Sequence, residues 1–170
     1  MYKSILTKKQ LVIVAFMFIA VLFRLVPHLP NFTPVTAIAL FGGIYFSNRK
    51  MAYLCPVFIM FLSDVFLGFY TISIFVYSAF ILVCFIGTQT NKPSIFTILI
   101  GSFSFFIVTN FGVWLIGYPK TWTGLIECYT LAIPFFRNSL LGDLFYSGLM
   151  IYGCLLYTSD AADELRSVEG

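Results

Sequence analysis

Long apolar tracts with almost no charge are the feature that most limits what this chain can fold into. One reads QLVIVAFMFIAVLFRLV (10–26) and another IFTILIGSFSFFIVTNFGVWLIG (95–117). A run of about 20 apolar residues is what an α-helix needs to cross the hydrocarbon of a bilayer, where backbone N–H and C=O groups must be paired internally. Four more tracts share this character, at 34–47, 51–67, 72–87 and 131–153. The tract 34–47 is short, about 21 Å as a helix. The tracts 51–67 and 72–87 form one hydrophobic run broken by GFYT at 68–71. Charged residues are 10% of the 170, against about 25% in soluble domains. The expectation is an all-α membrane protein, a single transmembrane domain over 1–153 built as a bundle of about six helices. With few polar side chains and no soluble domain, nucleic acid is not an expected partner; the lipid bilayer is.

Basic residues orient the bundle. Lys3, Lys8 and Lys9 precede the first tract, Arg49 and Lys50 follow the second, and Lys92 follows the fourth. All six fall on the cytoplasmic side if the N-terminus is cytoplasmic, as the positive-inside rule requires. The first tract lacks a small-residue cleavage site and reads as a span rather than a signal peptide.

In this orientation most of the unusual polar side chains gather towards the outer side. Arg24 ends the first tract, Asp64 lies in the outer part of the third, and Asn110 and Trp114 lie in the outer half of the fifth. Arg137 and Asn138 sit some way into the sixth, with Asp143 deeper. Ionisable groups inside a membrane are costly and face a bundle interior or an aqueous cavity. Asp64, Asn110, Trp114, Arg137, Asn138 and Asp143 are therefore the expected substrate-binding residues of an outward-facing pocket. Structural alternatives stand beside this. Arg24 can snorkel to the headgroups, Asp64 and Arg137 can form a buried structural pair, and Trp114, Tyr118 and Trp122 can form an interfacial aromatic belt. The segment 118–130, YPKTWTGLIECYT, is either a second lid or a helix lying on the headgroups. Ala39 and Gly43 form a small-xxx-small face, which serves packing inside the chain or docking of a partner.

Chemistry-bearing motifs are few. There is no GxxxxGK[ST], so ATP is not bound in a P-loop, and no HExxH. The chain has one His, and Cys55, Cys84, Cys128 and Cys154 show no CxxC spacing, so neither a metal site nor a disulfide is expected. Asp64 and Asp143 sit in SD and GD contexts rather than the YD and GxGD of intramembrane aspartyl proteases. No catalytic residue and no cofactor is assigned.

The end of the chain differs in character. Four of the seven acids fall in the last 17 residues. The run CLLYTSDAADE, Cys154 to Glu164, resembles the translation of a transposase-based sequencing adapter, so residues 154–170 are expected not to be native. Without them nine Lys and Arg face three acids, a net charge of +6 in place of +3.

Three stretches carry a family resemblance: RLVPHLPNFTPVTAIALFGGIYF (24–46), SDVFLGFY (63–70) and VTNFGVWLIGYPKTWTGLIECYTLAIPFFRNSLLGDLFY (108–146). Together they resemble an uncharacterised bacterial family of small multi-spanning membrane proteins assigned to transport. The layout more distantly resembles the S components of energy-coupling-factor transporters. That resemblance implies six spans with both ends cytoplasmic, in the bacterial inner (cell) membrane. It implies a small solute, vitamin-like or a metal ion, taken from outside, and a separate energising membrane subunit with ATPases. It also implies a gating loop after the first helix, here Pro27–Pro34 with His28 and Asn31. Prolines restrict that loop, and Pro34 is placed to open the second helix at its first position. One departure is that Ala15 and Ala20 are five apart, not in the AxxxA spacing by which S components meet their partner. The alternative function is a structural or assembly subunit of a membrane complex.

Overall fold

The computed structural model describes residues 8–25 and 31–168, with side-chain detail through part of the first helix and from 31 to 153. Six helices and no strand occur among the described residues: α1 Lys8–Leu25, α2 Val35–Tyr45, α3 Arg49–Leu67, α4 Ser73–Thr88, α5 Ile95–Gly117 and α6 Trp122–Val168. Two of them, Arg49–Leu67 and Ile95–Gly117, are long and apolar enough to cross a membrane.

The first five helices follow the apolar tracts closely, because side chains that cap helix starts stand between the tracts. Asn48 accepts from the Lys50 amide at 3.0 Å and opens α3. Ser94 accepts from the Thr97 amide at 3.2 Å and opens α5. Each satisfies one N–H that a helix start leaves without a partner. Pro34 takes the cap position before Val35 rather than the first helical position, and its carbonyl accepts from the Ile38 amide at 2.9 Å.

The sixth helix departs from expectation. It starts at Trp122, not at 131, so the loop shrinks to 118–121 and the supposed second lid becomes the opening turns of α6. Thr121 provides the reason, since its hydroxyl accepts from the Gly124 amide at 3.1 Å. Pro119 just before it cannot continue a helix backwards, and nothing from 122 to 130 breaks one. Pro134 lies inside α6 and Pro56 inside α3 without ending either helix. The backbone helix of α6 runs on through Val168.

Helix packing has a simple order. Among the described residues, α1 packs on α3, α3 on α4, α4 on α5, α5 on α6 and α6 back on α1, which closes a ring of five. The short helix α2 contacts all five of them. It is an axle inside the ring, and Val35 through Gly43 are all buried. Two glycines allow it to sit there. A Cβ on Gly43 would collide with the carbonyl oxygen of Cys84, and one on Gly87 would collide with that of Leu40. The Ala39/Gly43 face is therefore buried within the chain, with Gly43 against α4.

The outer faces of the ring are apolar. Phe58, Phe61 and Phe66 on α3, Phe96 and Phe103 on α5, and Ile133, Leu141 and Phe145 on α6 are all exposed.

Candidate functional site

The central helix is too short to fill the ring. Its 11 residues span about 16 Å, whereas helices of the length of α3 and α5 span about 28–35 Å. Consecutive helices joined by short turns and packed on each other run antiparallel. The turns after α3 and α5 therefore lie at one end of the ring, where residues 31–34 lead into α2, and those after α2 and α4 lie at the other. Gly43 meets Gly87 and Thr88 near the end of α4, so the axle occupies the half that carries Arg49, Lys50 and Lys92. The other half is left with a cavity of about 600 Å³. Its lining includes Asn31 and Thr33 before α2, Gly68 and Tyr70 between α3 and α4, and Tyr118 after α5.

Aromatic walls and polar groups share this cavity. Phe80, Phe105, Phe106, Phe135 and Phe136 supply the rings. Phe80 lies 4.9 Å from Phe105 and Phe106 lies 4.6 Å from Phe136, centroid to centroid, both in tilted stacks. The polar lining comprises Arg24, Asp64, Asn31, Asn110, Thr33, Thr36, Thr109 and Ser139 among others. Asn31 has φ 62°, a left-handed backbone that asparagine tolerates better than most residues. Asn110 donates through Nδ2 to the Phe106 carbonyl at 2.8 Å, which fixes its amide against its own helix.

The charged wall of the cavity is self-neutralising. Arg24 on α1 donates from Nη2 to Asp64 Oδ1 at 2.6 Å and from Nε to Ser63 Oγ at 2.6 Å, both on α3. Tyr77 on α4 donates its hydroxyl to Asp64 Oδ2 at 2.9 Å. Ser63 is held in turn, because its hydroxyl reaches the carbonyls of Ile59 and Met60. Asp64 is thus paired with Arg24 and not with Arg137, which is exposed. Three helices are clamped by one carboxylate.

Of the residues expected at the site, Asp64, Asn110 and Asn31 line the cavity. Arg137 is exposed and Asn138 half-buried, and neither is in the lining. Trp114 belongs to a separate hollow with Lys120, Trp122 and Tyr129. There its indole donates to the Pro119 carbonyl at 2.9 Å, and Lys120 Nζ stands 5.7 Å over its ring. Lys120 also donates to the Trp114 and Tyr118 carbonyls, at 3.0 and 2.7 Å, closing the C-terminal end of α5. Asp143 is buried below the cavity, where Ser102 donates to its Oδ2 at 2.6 Å. His28 lies outside the described residues. Sequence reasoning passed over Tyr77, Thr36 and the Phe105/Phe106/Phe136 wall. A tyrosine or phenylalanine carries no signal in a chain with 10 Tyr and 21 Phe, and only helix spacing relative to Asp64 would have drawn attention to Tyr77.

The architecture and site define a helical bundle with a cavity in one half of the ring. The chain belongs to DUF6580, a family of unknown function, whose family model matches residues 4–164. No curated protein and no solved structure matches the chain.

Proposed function

We propose that this chain is a membrane-embedded bundle of about six spanning helices that binds a small solute from the extracellular side, as the substrate-binding subunit of a transport system. The observation that carries the reading is the cavity of about 600 Å³, walled by aromatic rings and hydroxyl and amide groups, at the end of the ring away from Arg49, Lys50 and Lys92. Small-molecule sites are concave and mostly apolar with a few placed polar groups. The apolar outer faces of α3, α5 and α6 support a lipid surrounding, and the basic turns support a cytoplasmic N-terminus. In this reading the segment before α2 gates the cavity, with Asn31 on its wall. An energising membrane subunit with ATPases drives reorientation, as the likeness to S components implies. The cell membrane of a bacterium is the matching location, and the solute is vitamin-like or a metal ion.

Thermal unfolding of the purified protein in detergent, screened against a panel of vitamins and metal ions, tests the reading. A ligand should raise the midpoint, and Asn110→Ala or Phe106→Ala should remove that increment. If no compound shifts the midpoint, or if the chain is released from membranes by alkaline carbonate, the reading fails.

The second reading is a structural or assembly subunit, favoured by the Arg24–Asp64–Tyr77 clamp, in which every charge on the cavity wall is already spent on a neighbour. Co-purification with unchanged partners when Asn110 or Phe106 is replaced would favour it.

A further inference from the structure

Below the cavity, α6 carries a stripe of oxygens at intervals of four residues, Ser139, Asp143 and Ser147, all buried. Residues so spaced lie on one helix face. Ser139 lines the cavity, and the stripe leads from it into the bundle interior. Ser102 on α5 and Thr36 on α2 each hydrogen-bond the Asp143 carboxylate from the facing helices.

This cluster is incompletely satisfied. Asp143 is 1% exposed and Ser147 fully buried, yet Asp143 Oδ1 and Ser147 Oγ have no hydrogen-bond partner among the described residues. The Ser102 hydroxyl has one proton for two acceptors, Asp143 Oδ2 at 2.6 Å and the Ile98 carbonyl at 3.1 Å. Among the described residues the only ion pair is Arg24–Asp64, so none of their basic side chains lies within 4 Å of the Asp143 carboxylate. A buried carboxylate is costly unless a positive charge or a metal compensates it.

We propose that Asp143, Ser147, Ser102 and Thr36 bind a monovalent cation of the size of sodium, in a site that adjoins the solute cavity above it and shares Thr36 with its lining. The donors are all oxygens, which suit hard cations rather than zinc or copper. One carboxylate matches a single positive charge. Thr36 and Ser139 belong to both the cavity lining and the cluster, which gives the ion an entry route lined by hydroxyls. Carboxylates that face the interior of a membrane bundle mark ion pathways. The site does not depend on what the cavity binds.

The test uses the full chain in detergent at constant ionic strength, with sodium replaced stepwise by choline. Two quantities are read, the unfolding midpoint and retention of radioactive sodium. Sodium should raise the wild-type midpoint above that in choline. Asp143→Asn, which keeps size and removes charge, should lose both the increment and the retained sodium. Ser147→Ala should shift half-saturation to higher sodium. Equal midpoints in sodium and choline for the wild type overturn the proposal and leave Asp143 as a neutral acid. A full sodium increment in Asp143→Asn overturns it too. If Asp143→Asn does not fold, unchanged half-saturation in Ser147→Ala overturns it.

Discussion

Arg24 on α1 and Asp64 on α3 meet at 2.6 Å on the wall of the cavity, and the same carboxylate takes a hydrogen bond from Tyr77 on α4. Two charges that would each be costly in an apolar bundle are thus cancelled where they also tie three helices together. The guanidinium presents two N–H groups to two adjacent residues of α3, a fork that lysine cannot reproduce.

Arg24→Ala leaves a buried carboxylate with the Tyr77 phenol as its one remaining hydrogen-bond partner among the described residues. Breaking such a pair costs about 3–5 kcal/mol. Arg24→Lys keeps the charge and should cost less. The double variant Arg24→Ala/Asp64→Ala should be less destabilised than the sum of the singles, giving a coupling of about 1–3 kcal/mol in a double-mutant cycle read by thermal or denaturant unfolding.

The crossing of α2 and α4 should tolerate no added carbon. Gly43→Ala and Gly87→Ala each push a methyl into a facing backbone carbonyl and should destabilise by about 1–3 kcal/mol or prevent folding. Gly101→Ala meets only a Val83 methyl at 3.5 Å. It should be neutral or gain up to about 1 kcal/mol from helix propensity. Comparable losses at all three positions would contradict the close axle packing.

Arg137→Ala should leave the unfolding midpoint nearly unchanged, within about 0.5 kcal/mol, as for surface positions without a partner network. Asp64→Ala should not, because Arg24 and Tyr77 both lose a partner. Equal destabilisation by the two variants would restore the Asp64–Arg137 pairing that the geometry replaces.

Orientation can be read by cysteine labelling. Thr71 and Asn91 are exposed in the turns at opposite ends of the ring. Thr71→Cys should react with an impermeant maleimide in intact cells, and Asn91→Cys only after permeabilisation. Cys55 and Cys84 are buried in the bundle and should contribute little background; Cys128, which lines the cavity, and Cys154 are replaced by Ser in the background chain. The reverse pattern would place the cavity on the cytoplasmic side.

Helix positions were largely legible along the chain, because apolar runs and their capping residues are local signals. The tract 95–117 and α5 coincide. The tract 131–153 understated α6 because Thr121 and the helix-compatible turns after it carry little hydrophobicity. The site was legible only in part. Asp64 and Asn110 were visible as polar groups in apolar tracts, and both reach the cavity. Trp114 and Arg137 looked the same in sequence, but the rotation of their helices turns them to a separate hollow and to the outside.

By itself, then, the sequence determined that this chain is a set of apolar helices with charge confined to a few positions and basic residues at alternate turns. Long apolar runs bounded by helix-capping residues are local signals, and such runs bury their backbone polar groups most simply as helices. Only the tertiary structure decided that the shortest helix is the axle of a ring, that Arg24 and not Arg137 answers Asp64, and that Asp143 lies below the cavity with unpaired oxygens beside it. Those outcomes depend on which helix faces meet. Here that is set by two glycines that admit a backbone and by one carboxylate shared among three helices, neither of which is encoded in any single tract.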